Sequence, residues 1–437
     1  MTLEIIPVGG FGEIGRNCCA VKVDDEVVIF DMGLQMEKYI EHANHEKDVE
    51  IDKSPKTLTK TGALPEVNRI NDLQKKVVAI CIGHAHLDHV GAVPFLANKF
   101  DCPVYGTPFT IEVLKNMLKD EDIKLRNDIM VQKENSRFKV SPNIEIEFIN
   151  VTHSTPESVL MAMHTKYGTV LYATDFKLDK HPTLGKKTNM KRLKEMNIKA
   201  MICDCLYANN PQRTPSEMIV KQMLKEILLN HKNKSKNIFI TTFSSHIARL
   251  KSIKEFGKKS DRKVIFLGRS LSKYVSAAEK ANVTIFKDVK IINYKSKVKK
   301  FLSKLKNTEK YLFVVTGHQG EPQATLSMIA NENIFKFKSE DIVIFSSSII
   351  PIAVNFENRK ILEKQLKKKH IDIYKGIHVS GHASGEDHRE FFSITKPQHL
   401  IPIHGDEPRM KAMKKIALEE GLKNIYLMKN HQRQKIQ

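Results

Sequence analysis

The segment Gly83-His-Ala-His-Leu-Asp-His89 constrains this chain more than any other part of it. It holds three histidines and one aspartate within seven residues, and it directly follows the apolar run Val77–Ile82, which predicts a buried strand. A turn in this place aims several nitrogen and oxygen atoms at one point. Mixed imidazole and carboxylate ligands suit zinc or manganese. The segment therefore predicts a metal site at the end of a strand.

Three later residues offer the ligands that a second metal ion would need. His153, Asp175 and His404 each follow an apolar, strand-like run. Each of them alone is typical of a cap or a turn. Together they add ligands after successive strands of one sheet, which is the edge where α/β folds place their sites. The pattern predicts a centre with two metal ions.

Composition restricts the class of protein. A chain of 437 residues is long enough for two or three domains. With 41% hydrophobic and 28% charged residues it has ordinary globular usage, and no apolar run approaches the roughly 18 residues of a membrane helix. The first residues, MTLEIIPVGG, lack the order of a signal peptide. We expect a cytoplasmic protein with no membrane partner.

Charge and cysteine usage add less. The net charge of +21 favours a polyanionic partner such as nucleic acid, although a general enrichment in lysine explains it equally well. The six cysteines form no CxxC pair, which argues against a zinc ribbon and against a disulfide framework. Most of them lie in apolar runs, so we expect small buried hydrophobic residues.

The order of elements predicts an α/β protein in which one domain interrupts another. Residues 1–205 combine strands and turns with a polar stretch, 37–73, of loop and short helix, and the run 90–100 predicts a helix. Residues 206–366 alternate strands with helices, which is the signature of a mostly parallel sheet. Residues 367–437 again contain apolar runs that are followed by histidines, as in IHVSGHAS and LIPIHGD. We expect one domain in the segments 1–205 and 367–437, and the inserted domain at 206–366.

The motifs HAHLDH, THS, TDF and PIHGD resemble the metal motifs of the metallo-β-lactamase superfamily. That resemblance implies an αββα sandwich with a dinuclear site that holds two Zn²⁺ ions, with Mn²⁺ or Mg²⁺ as alternatives in activity. It assigns His84, His86 and His153 to one ion. It assigns Asp88, His89 and His404 to the other, with Asp175 as the bridge between them.

The region after Asp175 is similar to the β-CASP group, the branch of that superfamily that cleaves nucleic acids. Asp204 in ICDCLYAN, His246 in TTFSSHIARL and His382 in HVSGHAS resemble its motifs A, B and C. Further blocks, among them GGFGEIGRN, LGRSLSKY and TGHQGEPQATLSMIA, resemble the ribonuclease J family, in particular its archaeal type. We expect the short form, without an added C-terminal domain or an N-terminal RNA-binding extension.

The resemblance implies a zinc-dependent ribonuclease in which two metal ions activate a hydroxide. The expected reaction is processive 5′→3′ exonucleolytic hydrolysis of single-stranded RNA with a 5′-monophosphate, in RNA decay or maturation, by a homodimer. The candidate catalytic residues are Asp88, Asp175, Asp204 and His382. The candidate substrate-binding residues are Ser245, His246, His378, Val379, Ser380, Gly381 and His382.

Three other functions remain open at this point. An endoribonuclease of the same group, of the 3′-end-processing type, would have the same motifs. A small-molecule metallo-hydrolase acting on a thioester or a lactam would not need the insert with its motifs A to C. A non-catalytic RNA-binding subunit would be expected to lack at least one of the seven ligands, and the sequence contains them all.

Overall fold

The computed structural model describes residues 2–45, 52–332 and 334–437. Part of the polar stretch 37–73 therefore lies outside the described residues. The strands are β1 Leu3–Gly9, β2 Cys18–Val23, β3 Glu26–Phe30, β4 Val77–Cys81, β5 Val104–Gly106, β6 Ile129–Val131, β7 Arg137–Lys139, β8 Glu145–Asn150, β9 Val159–Thr165, β10 Gly168–Ala173, β11 Ile198–Asp204, β12 Ile238–Thr241, β13 Lys263–Leu267, β14 Lys290–Ile292, β15 Tyr311–Val315, β16 Ile342–Phe345, β17 Asp372–Tyr374, β18 His399–Ile403, β19 Asn424–Ile425 and β20 Gln434–Ile436.

The helices are α1 Met36–His45, α2 Pro55–Lys60, α3 Leu87–Val90, α4 Val93–Leu96, α5 Pro108–Asp120, α6 Met190–Lys194, α7 Glu217–Leu228, α8 Ile247–Lys259, α9 Arg269–Lys280, α10 Lys295–Lys304, α11 Thr325–Asn331, α12 Ala353–Lys368, α13 Gly385–Thr395 and α14 Glu407–Glu419. Short 3₁₀ helices cover Val67–Lys76, Ala97–Lys99, His231–Asn233 and Thr308–Lys310. Within the described residues, no helix is both long and apolar enough to cross a membrane.

The chain divides into two compact units. The first unit comprises Met1–Lys180, Gly185–Thr214 and Ser380–Gln437, and the second comprises His181–Leu184 and Pro215–Val379. The second unit therefore includes residues 367–379, which the sequence analysis assigned to the returning segment of the first domain.

The first unit contains two seven-stranded sheets. The order of strands is β20-β1-β2-β3-β4-β5-β6 in one sheet and β19-β18-β11-β10-β9-β8-β7 in the other. The apolar faces of the two sheets share one core, which includes Ile5 and Phe30 from the first sheet and Phe148 and Ile202 from the second. Alternation along the strands gives each sheet an outer face as well.

Helices cover both outer faces of this sandwich. Ile111 and Leu114 of α5 pack with the outer residues of the first sheet. Phe391 of α13 and Met413 of α14 pack with the outer residues of the second sheet. The layers follow the order helix, sheet, sheet, helix, which confirms the predicted αββα sandwich.

The second unit is built on one six-stranded sheet with the order β14-β13-β15-β12-β16-β17. Every pair of neighbouring strands in it is parallel. The central strands Ile238–Thr241 and Ile342–Phe345 are apolar runs that are buried along their whole length, as expected for a parallel sheet covered on both faces. The prediction of a mostly parallel α/β insert is confirmed.

The helix predicted over 90–100 is not continuous. The structure has α3, α4 and a 3₁₀ turn in this region instead. Gly91 follows α3, and its Cα packs so closely that an added Cβ would lie 2.8 Å from the Leu34 side chain. Pro94 lies in the first turn of α4, where its missing N–H costs nothing, but it prevents the preceding turn from continuing. By contrast, the expectation for the cysteines is confirmed, since all six are buried and free.

Candidate functional site

Strand direction explains why four of the predicted residues meet at one edge of the second sheet. β8 and β10 are both antiparallel to β9, so they run in the same direction, and β11 and β18 run parallel to β10. The carboxyl ends of these four strands therefore lie at one edge. His153, Asp175, Asp204 and His404 lie at or directly after those ends.

The first group of candidate ligands consists of three imidazoles and one carboxylate. Nδ1 of His86 lies 3.1 Å from Nε2 of His84 and 3.1 Å from Nε2 of His153. Oδ2 of Asp175 lies 3.4 Å from Nε2 of His84 and 3.7 Å from Nε2 of His153. Four ligands at 2.0–2.2 Å around a tetrahedral zinc ion lie about 3.3–3.6 Å from one another. The observed distances of 3.1–3.7 Å are close to these values, so the four atoms could surround one ion.

The second group uses the other oxygen of the same aspartate. Oδ1 of Asp175 lies 3.1 Å from Nε2 of His89 and 3.8 Å from Nε2 of His404. Oδ2 of Asp88 lies 3.6 Å from Nε2 of His89 and 3.7 Å from Nε2 of His404. Asp175 therefore presents one carboxylate oxygen to each group. The structure brings all seven predicted ligands together in the two predicted sets.

The chemistry of these donors fits two metal ions. Oδ1 of Asp175 is buried and accepts no hydrogen bond from any described residue, although Nε2 of His89 is near. A buried carboxylate oxygen without a donor is costly unless a cation compensates it. Burial and the neighbouring His84 lower the pKa of His86 to about 3, so its imidazole is in the neutral, ligating form.

Partners behind the ligands fix how the rings point. Nδ1 of His89 lies 2.7 Å from Oδ2 of Asp31, a fully buried carboxylate that also accepts a hydrogen bond from the Gly83 N–H at 2.8 Å. Nδ1 of His153 donates to the carbonyl oxygen of Gly381 at 2.7 Å. A Cβ on Gly381 would lie 2.8 Å from the His153 ring, so only glycine allows this approach. Such partners hold the tautomer in which Nε2 of His89 and Nε2 of His153 would be free to bind a metal ion.

Sequence reasoning missed Asp31, and a local signal for it exists. Asp31 follows β3, which is parallel to β4, the strand that leads into His84. Asp31, Asp175 and His404 all have positive φ, at 57°, 46° and 60°. Non-glycine residues are strained in this region and persist there when surrounding contacts hold them, as at functional sites. Each of the three is a polar residue that lies one or two positions after the end of a strand.

His382 and Asp204 form a pair beside the first group. Nδ1 of His382 lies 2.8 Å from Oδ2 of Asp204, and Nε2 of the same ring lies 3.8 Å from Oδ2 of Asp175. Burial opposes the charged imidazole, but Asp175 and Asp204 outweigh burial and raise the pKa of His382 to about 9. Nδ1 of His382 contacts Asp204, and Nε2 of the same ring is directed at the first group of candidate ligands. We therefore interpret the pair as an imidazole that a carboxylate orients, and not as a third set of ligands.

The predicted substrate-binding residues are divided between the two units. Ser245, His246, His378 and Val379 belong to the second unit, whereas Ser380, Gly381 and His382 belong to the first. The Ser380 hydroxyl accepts a hydrogen bond from the His382 N–H at 3.0 Å, which shapes the turn that carries the imidazole.

In the second unit His246 adjoins a buried ion pair that the sequence analysis did not identify. Arg249 is fully buried, and its guanidinium donates to Glu217 at 2.8 and 2.5 Å. Nε2 of His246 lies 3.4 Å from the same carboxylate, and Nη1 of Arg249 lies 3.2 Å from Nδ1 of His378. Burial opposes charge on Glu217, but His246 and Arg249 outweigh it and hold the pKa of Glu217 well below its usual range. The ion pair of Glu217 and Arg249 thus contacts the imidazoles of both His246 and His378.

Comparison with known families covers nearly the whole chain. The model described as "Ribonuclease J, beta-CASP domain" matches residues 235–363, and "Zn-dependent metallo-hydrolase RNA specificity domain" matches residues 368–428. "Beta-lactamase superfamily domain" matches residues 49–228. Ribonuclease J of Methanocaldococcus jannaschii is 38% identical over 99% of this chain and 98% of the relative. The chain belongs to the ribonuclease J family.

Other relatives agree with this assignment. Ribonuclease J of Pyrococcus abyssi is also 38% identical, over 98% of this chain and 96% of the relative. A solved structure from Enterococcus faecalis, of a protein of unknown function, superposes with a TM-score of 0.70 at 18% identity and covers 100% of both chains, which shows the fold alone. As a ribonuclease J, the chain is an RNA-binding metallo-hydrolase. Six of the seven candidate ligands lie within the residues that the beta-lactamase superfamily model matches, and His404 lies within the match to the RNA specificity domain.

Proposed function

We propose that this ribonuclease J is a zinc-dependent 5′→3′ exoribonuclease that degrades single-stranded RNA processively from a 5′-monophosphate end. The observation that carries the hydrolytic part is the pair of four-atom ligand groups that share Asp175, one oxygen to each group. Two Zn²⁺ ions, held by the seven ligands, would supply Lewis-acid activation of the attacking water and would neutralise charge on the phosphate oxygens.

His382 is the proposed acid for the leaving group. When the attacking oxygen forms its bond to phosphorus, the bond from phosphorus to the 3′-oxygen breaks and that oxygen needs a proton. Nε2 of His382 faces the metal ligands while Asp204 holds Nδ1, so the proton would pass from Nε2 to the 3′-oxygen. The upstream product has a 3′-hydroxyl, and the downstream product begins with a new 5′-phosphate.

This product explains why one enzyme can act repeatedly on one chain. Each cleavage leaves the remaining RNA with the same 5′-monophosphate that the preceding cycle consumed. We assign the recognition of the terminal and flanking phosphates to the hydroxyl, imidazole and backbone N–H donors of Ser245, His246, His378, Val379, Ser380, Gly381 and His382. Nη1 of Arg249 lies 3.2 Å from Nδ1 of His378 and helps to orient that imidazole, which supports the place of His378 in this assignment.

Labelled RNA tests the proposal. Zinc-loaded protein is incubated with RNA that has a label at its 5′ or 3′ end and a 5′-monophosphate, 5′-triphosphate or 5′-hydroxyl. We expect the 5′ label to be released at once as a mononucleotide, and the monophosphate RNA to be degraded fastest. Discrete internal fragments would show an endoribonuclease instead, and equal rates on the three ends would remove the proposed end recognition. Metal analysis of the same preparation should give two zinc ions per chain.

A further inference from the structure

The second unit has an open groove along α12 that no part of the proposed chemistry uses. Its volume is about 680 Å³, and we call it the α12 groove. Its lining consists of Ile349, Phe356, Arg359, Lys360, Glu363, Lys364, Lys367, Lys368 and Lys375. Phe356 is 50% exposed. The groove thus offers an aromatic ring to solvent.

Four lysines follow that ring along the same helix. Lys360, Lys364, Lys367 and Lys368 follow Phe356 at intervals that place them on the same side of α12, along about 12 Å of the helix. All four are exposed, and within the described part of the chain no carboxylate lies within ion-pair distance of them. The groove therefore combines an exposed ring with uncompensated positive charge.

The wall of the groove is held rigidly. The Arg359 side chain is buried, its guanidinium stacks over the Phe345 ring at 3.2 Å, and its Nη1 donates to the His318 carbonyl at 2.7 Å. Glu363, which is the carboxylate in the lining, is bound by Arg359 at 3.0 Å and by Lys375 at 3.0 Å. Because that acid is already paired, it does not neutralise the four lysines.

A ligand that fits this groove has closely spaced negative charges and flat apolar faces. Single-stranded nucleic acid has both, since phosphates contact lysines while bases stack on aromatic rings. A second copy that paired through the same groove would bring these four lysines into contact with themselves, and like charges oppose that pairing. The charge complementarity therefore favours RNA.

We propose that the α12 groove is an accessory site for a single-stranded segment of the RNA substrate. One base stacks on Phe356, and successive phosphates contact Lys360, Lys364, Lys367 and Lys368. This proposal rests on the proposed function in one respect: the RNA that binds in the α12 groove is the RNA that the enzyme cleaves. It needs no metal ion, so its occupancy is measured separately from cleavage. Contacts of this type bind RNA without reading its sequence.

Salt dependence tests the lysines. The variant with Lys360, Lys364, Lys367 and Lys368 all changed to Gln is compared with a control in which Lys119, Lys124, Lys414 and Lys415, exposed lysines of the first unit, are changed to Gln. Affinity for a long unstructured RNA is measured by fluorescence anisotropy in chelator, so that nothing is cleaved. Each lost phosphate contact lowers the slope of log affinity against log salt by about 0.7. We expect a decrease of about 3 for the groove variant and little change for the control.

Phe356 gives an independent measurement. Loss of one stacked base in Phe356→Ala should weaken binding by about 5- to 150-fold, whereas Phe356→Trp, which keeps an aromatic ring, should bind like the unmodified protein. Leu418→Ala, which removes an exposed apolar side chain on α14, is the control and should bind normally. Equal salt slopes for the two four-lysine variants, with unchanged affinity in Phe356→Ala, would overturn the proposal. A change in oligomeric state in place of RNA affinity would assign the groove to a second copy and overturn it as well.

The two proposals fail in different ways. If the protein cleaves no RNA but the groove variants lose RNA affinity, the proposed function fails and the accessory site stands. If cleavage from the 5′ end proceeds and the groove variants bind like the unmodified protein, only the accessory site fails. The changed side chains are all exposed, so thermal unfolding midpoints should match. The single change Lys364→Gln, with an expected decrease in slope of about 0.7, provides the same test with one substitution.

Discussion

Oδ2 of Asp31 lies 2.7 Å from Nδ1 of His89, and both side chains are fully buried. This contact holds Nδ1 protonated and leaves Nε2 of His89 for the second ligand group. Partners of this kind typically contribute 10- to 100-fold to metal affinity. We predict that Asp31→Asn lowers the zinc affinity of the second group by about that factor, because the amide is a poorer acceptor than the carboxylate.

Chelator competition checks this prediction, with metal content as the readout in place of activity. Asn has nearly the same shape as Asp, so the native backbone at this position is retained. Asp25→Asn is the matched control, because Asp25 is exposed and pairs with Lys76. Equal zinc affinity in the Asp31 and Asp25 variants would show that Asp31 has no part in the metal centre.

The pair of Asp204 and His382 leads to a second prediction. His382→Asn should reduce the turnover number by about 100- to 10,000-fold, the usual contribution of a general acid, while zinc content stays near normal. A substrate with sulfur in place of the leaving 3′-oxygen needs no proton, since a thiol has a pKa of about 8.5. The variant should therefore recover most of its rate on that substrate. An equal defect on both substrates would contradict the role of His382 as the acid.

The clustering of the candidate ligands was predictable from the sequence, because each lies within a short motif or directly after an apolar run. His84 to His89 lie within one turn, and strand direction alone brings Asp175 and His404 to the same edge. Asp31 was not predictable in this way, because its role depends on a contact with His89, 58 residues away. Its sequence signal, one aspartate after one strand, is shared with many ordinary turns.

Arg249 shows the same limit in the second unit. It was visible within TTFSSHIARL, but an arginine in an amphipathic helix is usually solvated. Its burial depends on Glu217, which lies 32 residues earlier, on α7. The broken helix over 90–100 has a different cause, since the apolar pattern continues through Gly91 and Pro94 while close packing and the missing N–H interrupt the helix. Contacts between distant parts of the chain decide Arg249 and Gly91, whereas Pro94 acts through its own ring and missing N–H.

Glu157 should make stability depend on pH near neutrality. Burial raises the pKa of Glu157 to about 7, with Glu134 adding to the shift, although the Phe109 N–H donates to the carboxylate at 2.6 Å. Because the folded pKa lies above the ordinary value of 4.5, the native state binds this proton more tightly than the unfolded chain does. The contribution of Glu157 to stability is complete below pH 4.5 and is lost as the pH rises through 7.

Urea unfolding of Glu157→Gln at several pH values, with saturating zinc throughout, measures this effect. Gln accepts the Phe109 N–H but has no charge to bury, so its free energy of unfolding should rise relative to that of the unmodified protein between pH 4.5 and 7. Glu195→Gln, at a carboxylate that is 51% exposed, is the control and should show a far smaller trend. A constant difference between Glu157→Gln and the unmodified protein across this range would contradict the prediction.

The buried pair of Glu217 and Arg249 should be the most sensitive polar contact of the second unit. Removing one partner leaves the other charge buried and unpaired, which typically costs about 3–5 kcal/mol. We predict that Glu217→Gln and Arg249→Leu each lower the free energy of unfolding by roughly that amount. The double variant should be more stable than the less stable of the two single variants, because it leaves no unpaired charge. Denaturant unfolding of the four proteins forms the double-mutant cycle, and strictly additive losses would contradict the coupling.

The same pair has a pH signature of opposite sign to that of Glu157. Arg249 and His246 hold the pKa of Glu217 below the ordinary value of 4.5, so its contribution is complete above pH 4.5 and is lost as the pH falls below that value. Between pH 7 and pH 4, the unmodified protein should therefore lose stability relative to Glu217→Gln.

The Glu217→Gln variant should also bind 5′-monophosphate RNA more weakly, since Glu217 lies 3.4 Å from His246 and pairs with Arg249, the arginine beside His378. Unchanged affinity together with the loss of stability would limit Glu217 to a structural role.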